Sequence, residues 1–234
     1  MLYTLLLAGG KGTRMGNTGV PKQFMNIKGQ PVIVRTLKKL LKQPKINKIV
    51  IVCNKSYCAY LADLLQEYSF NKDIYVTEGG EKRFDSIFSG IKYINKTFHP
   101  DSSDSFMIHD SVRPFIDDEV LSKAIDSSKE YPAISVANPL AINIISSDDK
   151  GNIVKIFPRK NLYTDESPQI FNIHTFMEYI KKYTPEELAE VSDLSSIFVD
   201  NQHPVHIVEG NTDNIKITTS KDIAIAEKLI SEED

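Results

Sequence analysis

Several features that would have fixed the class of this chain at once are missing from it. Its only two cysteines, Cys53 and Cys58, lie five apart and fit neither a CxxC pair nor a zinc pattern, so they read as ordinary buried or half-buried thiols. Neither charge is in clear excess. Lys plus Arg number 28 against 31 acidic residues, a net charge of −3, and the two signs are interspersed. This excludes the basic face of a nucleic-acid binder, and an anionic substrate must be met by a local site rather than a global field. No stretch approaches the ~18 apolar residues of a membrane span, and no charged region precedes the first short apolar run as in a secretion signal. The expectation is a cytoplasmic protein with no membrane contact. Repeats, linkers and low-complexity segments are also absent, so the 234 residues are expected to form one α/β domain, 1–234, with a protruding element.

Two familiar glycine loops are missing as well. No GxxxxGK[ST] string occurs, and a GxGxxG fingerprint begun at Gly10 and Gly12 would need its third glycine at Met15. A nicotinamide dehydrogenase thereby loses its main support. What the chain does have is Leu5-Leu6-Leu7-Ala8-Gly9-Gly10-Lys11-Gly12-Thr13-Arg14-Met15-Gly16, followed by Pro21-Lys22-Gln23-Phe24. A buried strand empties into a glycine-rich turn flanked by Arg14 and Lys22. Backbone N–H groups of such a turn can line an anion concavity, and the two cations can bond phosphate oxygens, which points to a polyphosphate site.

Apolar spacing from Pro31 to Leu41 predicts a helix, Lys48 to Cys53 a strand covered on both faces, Ser56 to about Tyr68 a helix, and Ile74 to Val76 a strand. Strand and helix in alternation imply a parallel sheet with right-handed crossovers. Glu78-Gly79-Gly80-Glu81-Lys82-Arg83-Phe84-Asp85-Ser86 is a glycine turn leading into a helix, with Asp85 or Ser86 as N-cap or as a nucleotide contact. Phe106 to Ile108 is a strand running into His109-Asp110-Ser111-Val112-Arg113-Pro114-Phe115. Asp110 there could hold Mg²⁺ or simply pair with Arg113, and His109 reads as a structural histidine. After a strand at Ile134 to Val136, Ala141–Ser147 and Asn152–Phe157 flank the polar turn 148–151 as a β-hairpin whose covering partner is expected in a second copy. The segment from Arg159 to Phe171 carries no assignment. Beyond it come helices at His174–Tyr183 and about 185–191, one opened by Ser192-Asp193, a strand at Val205–Val208, a loop and strand at Asn211–Thr218, and a last helix capped by Ser220.

In this order LAGGKGTRMG with PKQF, GGEKRFDS, HDSVRPF and DNIKIT resemble the cytidylyltransferase family of the 2-C-methyl-D-erythritol 4-phosphate and ribitol-5-phosphate enzymes, over essentially the whole chain. The resemblance implies a Rossmann-like, mostly parallel twisted sheet with helices on both faces and a β-arm at about 138–170 that forms a homodimer. It implies that Ala8, Gly9, Gly10, Gly12, Gly80, Ser86 and Asp110 hold CTP, that Arg14, Lys22 and Lys216 are catalytic, and that Asp110 and Asp213 bind Mg²⁺. It assigns Arg113, Arg159, Ser167 and Ser192 to the phosphate of a polyol phosphate, with Arg159 acting across the dimer. Two departures stand on that acceptor side. Ala141 and Ile142 replace an Asp-Thr pair of the arm, and Ser167 replaces the Thr of TPQ, after Asp165-Glu166. HDSVRPF tilts the reading toward D-ribitol 5-phosphate and cell-envelope polymers such as teichoic acid or capsule. The alternatives are the methylerythritol acceptor, a glycerol phosphate, or a CTP-binding module without catalysis.

Overall fold

The computed structural model describes residues 1–10 and 20–233. Strand β1 (Leu2–Ala8) leads past the short pair β2 (Asn26–Ile27) and β3 (Gln30–Pro31) into α1 (Val32–Leu41), followed by β4 (Lys48–Cys53), α2 (Cys58–Gln66) and β5 (Ile74–Glu78). Then come α3 (Arg83–Phe98), β6 (Ser105–Asp110), α4 (Asp118–Ser127) and β7 (Ala133–Pro139), and after them the hairpin β8 (Ile144–Ser147) and β9 (Ile153–Phe157). The last part holds β10 (Tyr163–Asn172), α5 (Ile173–Ile180), α6 (Pro185–Glu190), α7 (Ser195–Asp200), β11 (His206–Glu209) and α8 (Ser220–Glu233).

Seven of these strands form one sheet in the order β11-β7-β10-β6-β1-β4-β5, with β10 alone antiparallel to its neighbours. Alternate side chains of β1 and β4 point to opposite faces. Leu2, Leu6, Ala8, Ile49, Ile51 and Cys53 meet α1, α2 and α4 on one side. Tyr3, Leu5, Val50 and Val52 meet α3, α5 and α7 on the other. Helix α3 lies close enough that a Cβ on Gly90 would fall 2.7 Å from Leu5 and 2.9 Å from Val52, so glycine sets that packing distance. The expected α/β fold with helices on both faces is present, and no described helix is long and apolar enough to cross a membrane.

Four local expectations change. Most of the segment 159–171 becomes β10, inserted between β6 and β7, so only the hairpin at 144–157 stands off the sheet rather than the whole of 138–170. Asn211–Thr218 contains no strand; Ile217 is instead buried with Ile27, Val32 and Ala226 beneath α8. Helix α3 begins at Arg83, so Asp85 lies inside its first turn, where its carboxylate accepts the Lys82 N–H at 3.1 Å. Asp193 of the expected Ser192-Asp193 pair accepts the Ser195 N–H at the start of α7, but at α8 Asp222 rather than Ser220 accepts backbone N–H groups, because a carboxylate is the stronger acceptor at a helix N-terminus.

Candidate active site

The carboxyl ends of β1, β4, β5 and β6 open into a cleft of about 680 Å³ lined by Gly9, Gly10, Lys22, Gly80, Arg83, Ser86, Asp110 and Lys216 among others. Its floor is tightly built. The Gln23 side chain, 1% exposed, donates from Nε2 to the carbonyls of Ala8 at 2.8 Å and Gly10 at 3.1 Å, fixing the end of β1. A Cβ on Gly80 would sit 2.2 Å from that of Asp85, so only glycine fits this approach to α3. Ser86 Oγ donates to the Lys82 carbonyl at 3.1 Å, beside Gly79 and Gly80.

Asp110 is the electrostatic centre. Lys216 reaches one of its oxygens at 2.7 Å, Arg113 comes within 3.6 Å of the same oxygen, and Arg83 lies 3.3 Å from the other. Burial pushes this carboxyl's pKa up, but Lys216 and Arg83, with Arg113 behind them, overcome that and hold it well below the usual carboxylate range. The site thus carries one ionised acid among three cations, a net positive centre suited to a polyphosphate. His109 behind it is fully buried, and burial lowers its pKa to about 4, so it is neutral. Its Nε2 lies 2.9 Å from the Arg113 carbonyl and its Nδ1 3.1 Å from Ser167 Oγ. That is the structural role expected for it.

The sequence-predicted residues divide between two places. Ala8, Gly9, Gly10, Lys22, Gly80, Ser86, Asp110 and Lys216 gather at or directly beneath the cleft. Gly12 and Arg14 lie outside the described residues. Arg113 is mostly buried: its Nη1 donates to the Asn214 carbonyl at 2.6 Å and lies 3.9 Å from Glu166. Ser167 is 4% exposed, and its hydroxyl is engaged inward by His109 and by the Asp110 N–H at 3.4 Å. Asp213 is exposed and does not line the cleft, while Ser192 is exposed on the loop before α7. Arg159 is exposed after β9 and donates to the Ala141 carbonyl at 2.9 Å. Two residues were missed. Arg83 had no assigned role, although a cation at the first position of a helix, three residues after a glycine pair, is a legible phosphate signal. Gln23 sat unread inside PKQF.

A family model described as IspD, 2-C-methyl-D-erythritol 4-phosphate cytidylyltransferase, matches residues 2–232. Among solved structures, 4-diphosphocytidyl-2C-methyl-D-erythritol synthase from Anaerococcus prevotii DSM 20548 superposes with a TM-score of 0.82 at 25% identity, covering 99% of this chain and 96% of that one. The Francisella tularensis 2-C-methyl-D-erythritol 4-phosphate cytidylyltransferase gives 0.79 at 23% identity, covering 97% and 98%. The Thermus thermophilus enzyme of the same name gives 0.73 at 19%, covering 99% and 100%; these last two speak for the fold alone. A match along nearly the whole chain, over a cleft with this charge arrangement, makes the protein a member of the IspD cytidylyltransferase family and a CTP-dependent nucleotidyltransferase.

Proposed function

We propose that the chain transfers CMP from CTP to the phosphate of 2-C-methyl-D-erythritol 4-phosphate, releasing pyrophosphate. The observation that carries this reading is the family match over residues 2–232. It displaces the ribitol 5-phosphate preference drawn from HDSVRPF. Ribitol 5-phosphate stays as the second reading on the HDSVRPF motif alone, while Ala141 and Ile142, standing where an Asp-Thr pair was expected, keep a smaller acceptor such as a glycerol phosphate among the alternatives.

In this reading the glycine-lined end of β1, with Gly80 and Ser86, holds the cytidine. Lys22 and Lys216 flank the phosphates, and Arg14 keeps the catalytic role that the family resemblance implies for it. An acceptor phosphate oxygen attacks the α-phosphorus of CTP in line, a new P–O bond forms, and the bond to the bridging oxygen breaks as pyrophosphate leaves with its electron pair. A phosphate monoester is already nucleophilic at neutral pH, so no strong base is needed. The residues contribute position and charge neutralisation aimed at the pentacoordinate phosphorus. Among the described residues no three His, Cys, Asp or Glu side chains converge as a metal cage. An ionised Asp110 nevertheless suits Mg²⁺, which commonly takes one or two carboxylates and completes its shell with phosphate oxygens and water. Bound there, the ion would neutralise triphosphate charge; the exposed Asp213 would serve as an outer partner.

The arm completes the reading. Ile145, Val154 and Ile156 are 51, 62 and 64% exposed on a two-stranded ribbon that no other described element covers, which supports a homodimer in which each Arg159 serves the other chain's acceptor. The test is pyrophosphate release from CTP with methylerythritol 4-phosphate, ribitol 5-phosphate and glycerol phosphates in parallel. Turnover with the first at least tenfold above the others is expected; preference for ribitol 5-phosphate overturns the acceptor, and no turnover with any of them overturns the catalytic reading in favour of a CTP-binding module.

A further inference from the structure

Helix α1 carries one polar side chain on its buried apolar face. Thr36 is fully buried there beside Val32, Ile33, Leu37 and Leu40, and a hydroxyl in such surroundings needs a partner. Its Oγ1 donates to the Ser111 carbonyl at 2.9 Å, a contact 75 residues along the chain. The same oxygen lies 3.1 Å from the Val32 carbonyl one helical turn back, where the helix ladder already offers a donor. The distant carbonyl is therefore the one that the hydroxyl serves. Thr4 on β1 is the contrasting case: equally buried, with a hydroxyl that finds no partner among the described residues.

Ser111 follows Asp110 directly and lines the cleft. It is 1% exposed, and among the described residues no second donor reaches its carbonyl. The peptide that Thr36 holds leads into Val112, whose own carbonyl accepts the Ile217 N–H at 2.9 Å. Lys216 stands next to Ile217 on a segment that belongs to no strand, so no sheet ladder sets its place. Two bonds tie that segment to the loop after β6: Ile217 to Val112, and the Asn214 carbonyl to Arg113 Nη1 at 2.6 Å. Val112 and Ile217 also pack together with Val32 of α1. The contacts thus run in one line, from Thr36 to the Ser111–Val112 peptide, from there to Ile217, and so to Lys216, which reaches Asp110 at 2.7 Å.

We propose that Thr36 is a positioning residue for the transfer: its hydroxyl fixes the Ser111–Val112 peptide and, through it, the placing of Lys216 against Asp110. A buried carbonyl deprived of its donor bears the full cost of its lost hydration, so without the hydroxyl the loop shifts toward water or another N–H. Lys216 moves with the loop. A displacement of ~1 Å at the reacting centre can cost about 10² in rate. Gly9, Gly10 and Gly80 lie outside this line of contacts, so the hold on the cytidine stays. The kinetic consequence rests on the roles proposed above for Asp110 and Lys216, whereas the tether itself does not.

Thr36→Val keeps the volume and branching of the side chain and removes the donor; Thr36→Ser keeps the donor and drops a methyl. Thr4→Val makes the same exchange at a buried threonine whose hydroxyl holds nothing, and is the control. Amide hydrogen exchange is followed by NMR in the parent and the three variants. In T36V the Ile217 and Arg113 amides should exchange roughly tenfold faster or more, with those of β4 unmoved, and neither T36S nor T4V should show this. In pyrophosphate release, kcat of T36V should fall by about 10-fold to 10² with the CTP KM within about threefold of the parent's, while T36S returns kcat to within about threefold and T4V leaves it unchanged. Should T36V fail to fold, Thr36→Ala set against T36S gives the same comparison, because those two differ only in the hydroxyl. Unchanged Ile217 exchange on loss of the hydroxyl, or faster exchange spread equally through β4, overturns the tether. Faster local exchange with parent-like kcat refutes its bearing on the transfer. A parent that turns over no acceptor contradicts the functional reading instead, and the exchange result still decides the tether.

Discussion

At the carboxyl ends of β1 and β6 the chain draws cations onto a buried carboxylate, whereas on the arm it exposes its isoleucines. Asp110, 8% exposed, is held by Lys216, Arg83 and Arg113 from three separate segments of one chain. The β8–β9 hairpin is the reverse case: Ile144, Ile145, Ile153, Val154 and Ile156 lie 39–64% exposed. Apolar surface of that extent on one ribbon gains stability when covered, and in the proposed dimer a second copy of the chain is the cover, bringing Arg159 to the acceptor at the same time. The described residues of the cleft all come from one chain, whereas the proposed acceptor half draws on two.

The sharpest way to break this contrast is to attack the cleft. Asp110→Asn leaves three cations facing a neutral amide; because Arg83 and Lys216 are more than a third exposed and screened by water, the loss falls below the about 3–5 kcal/mol typical of a fully buried pair. Because the Asp110 pKa is depressed, its contribution is full above the ordinary carboxylate pKa of 3.8 and disappears as pH falls toward the lowered value. The stability deficit of D110N in thermal unfolding should thus be constant near neutrality and shrink in acid. Lys22→Ala should leave the fold intact and lower kcat by roughly 10²–10³, equivalent to ~2.7–4 kcal/mol of transition-state stabilisation. Near-normal turnover in the folded variant would remove Lys22 from the chemistry.

His109 tests the same half more gently. Its pKa is lowered to about 4 by burial, so the folded state resists a proton that the unfolded chain takes up near 6.5. Stability should decline by up to about 3 kcal/mol as pH falls from about 6.5 to 4, and His109→Asn, measured in the same melting series, should lack that part of the decline. The smallest effect belongs to the arm. Val154→Asp should change the thermal stability of an isolated chain by no more than about 0.5 kcal/mol, as exposed substitutions do, yet shift sedimentation from dimer to monomer. Unchanged sedimentation would place the contact elsewhere.

How much of this was legible follows from how local each signal is. Lys48–Cys53 reads as a buried strand because both of its faces are apolar, and the structure bounds it identically. The glycines around 9–10 and 79–80 and Asp110 were legible because residue type and position at a strand end carry their meaning, and Lys22 because it sits beside the glycine turn, whereas Lys216 was reached only through the family resemblance. Strand β10 was not, because Asp165, Glu166 and Ser167 break the alternation with groups whose partners, Ser135, Asn214 and His109, lie 30 or more residues away. The NIKIT segment misled in the other direction. Its isoleucines are buried as in a strand, but against α8 rather than in the sheet.

The claim that one acceptor site is built from two chains is tested most directly by mixing Arg159→Ala subunits with Lys22→Ala subunits, each inactive alone, and measuring pyrophosphate release after verified subunit exchange. A heterodimer with crossed arms contains one site retaining both residues, so activity approaching one quarter of the parent's per total site is expected from statistical pairing. No recovery despite exchange, or a monomer by sedimentation at the assay concentration, would contradict the account.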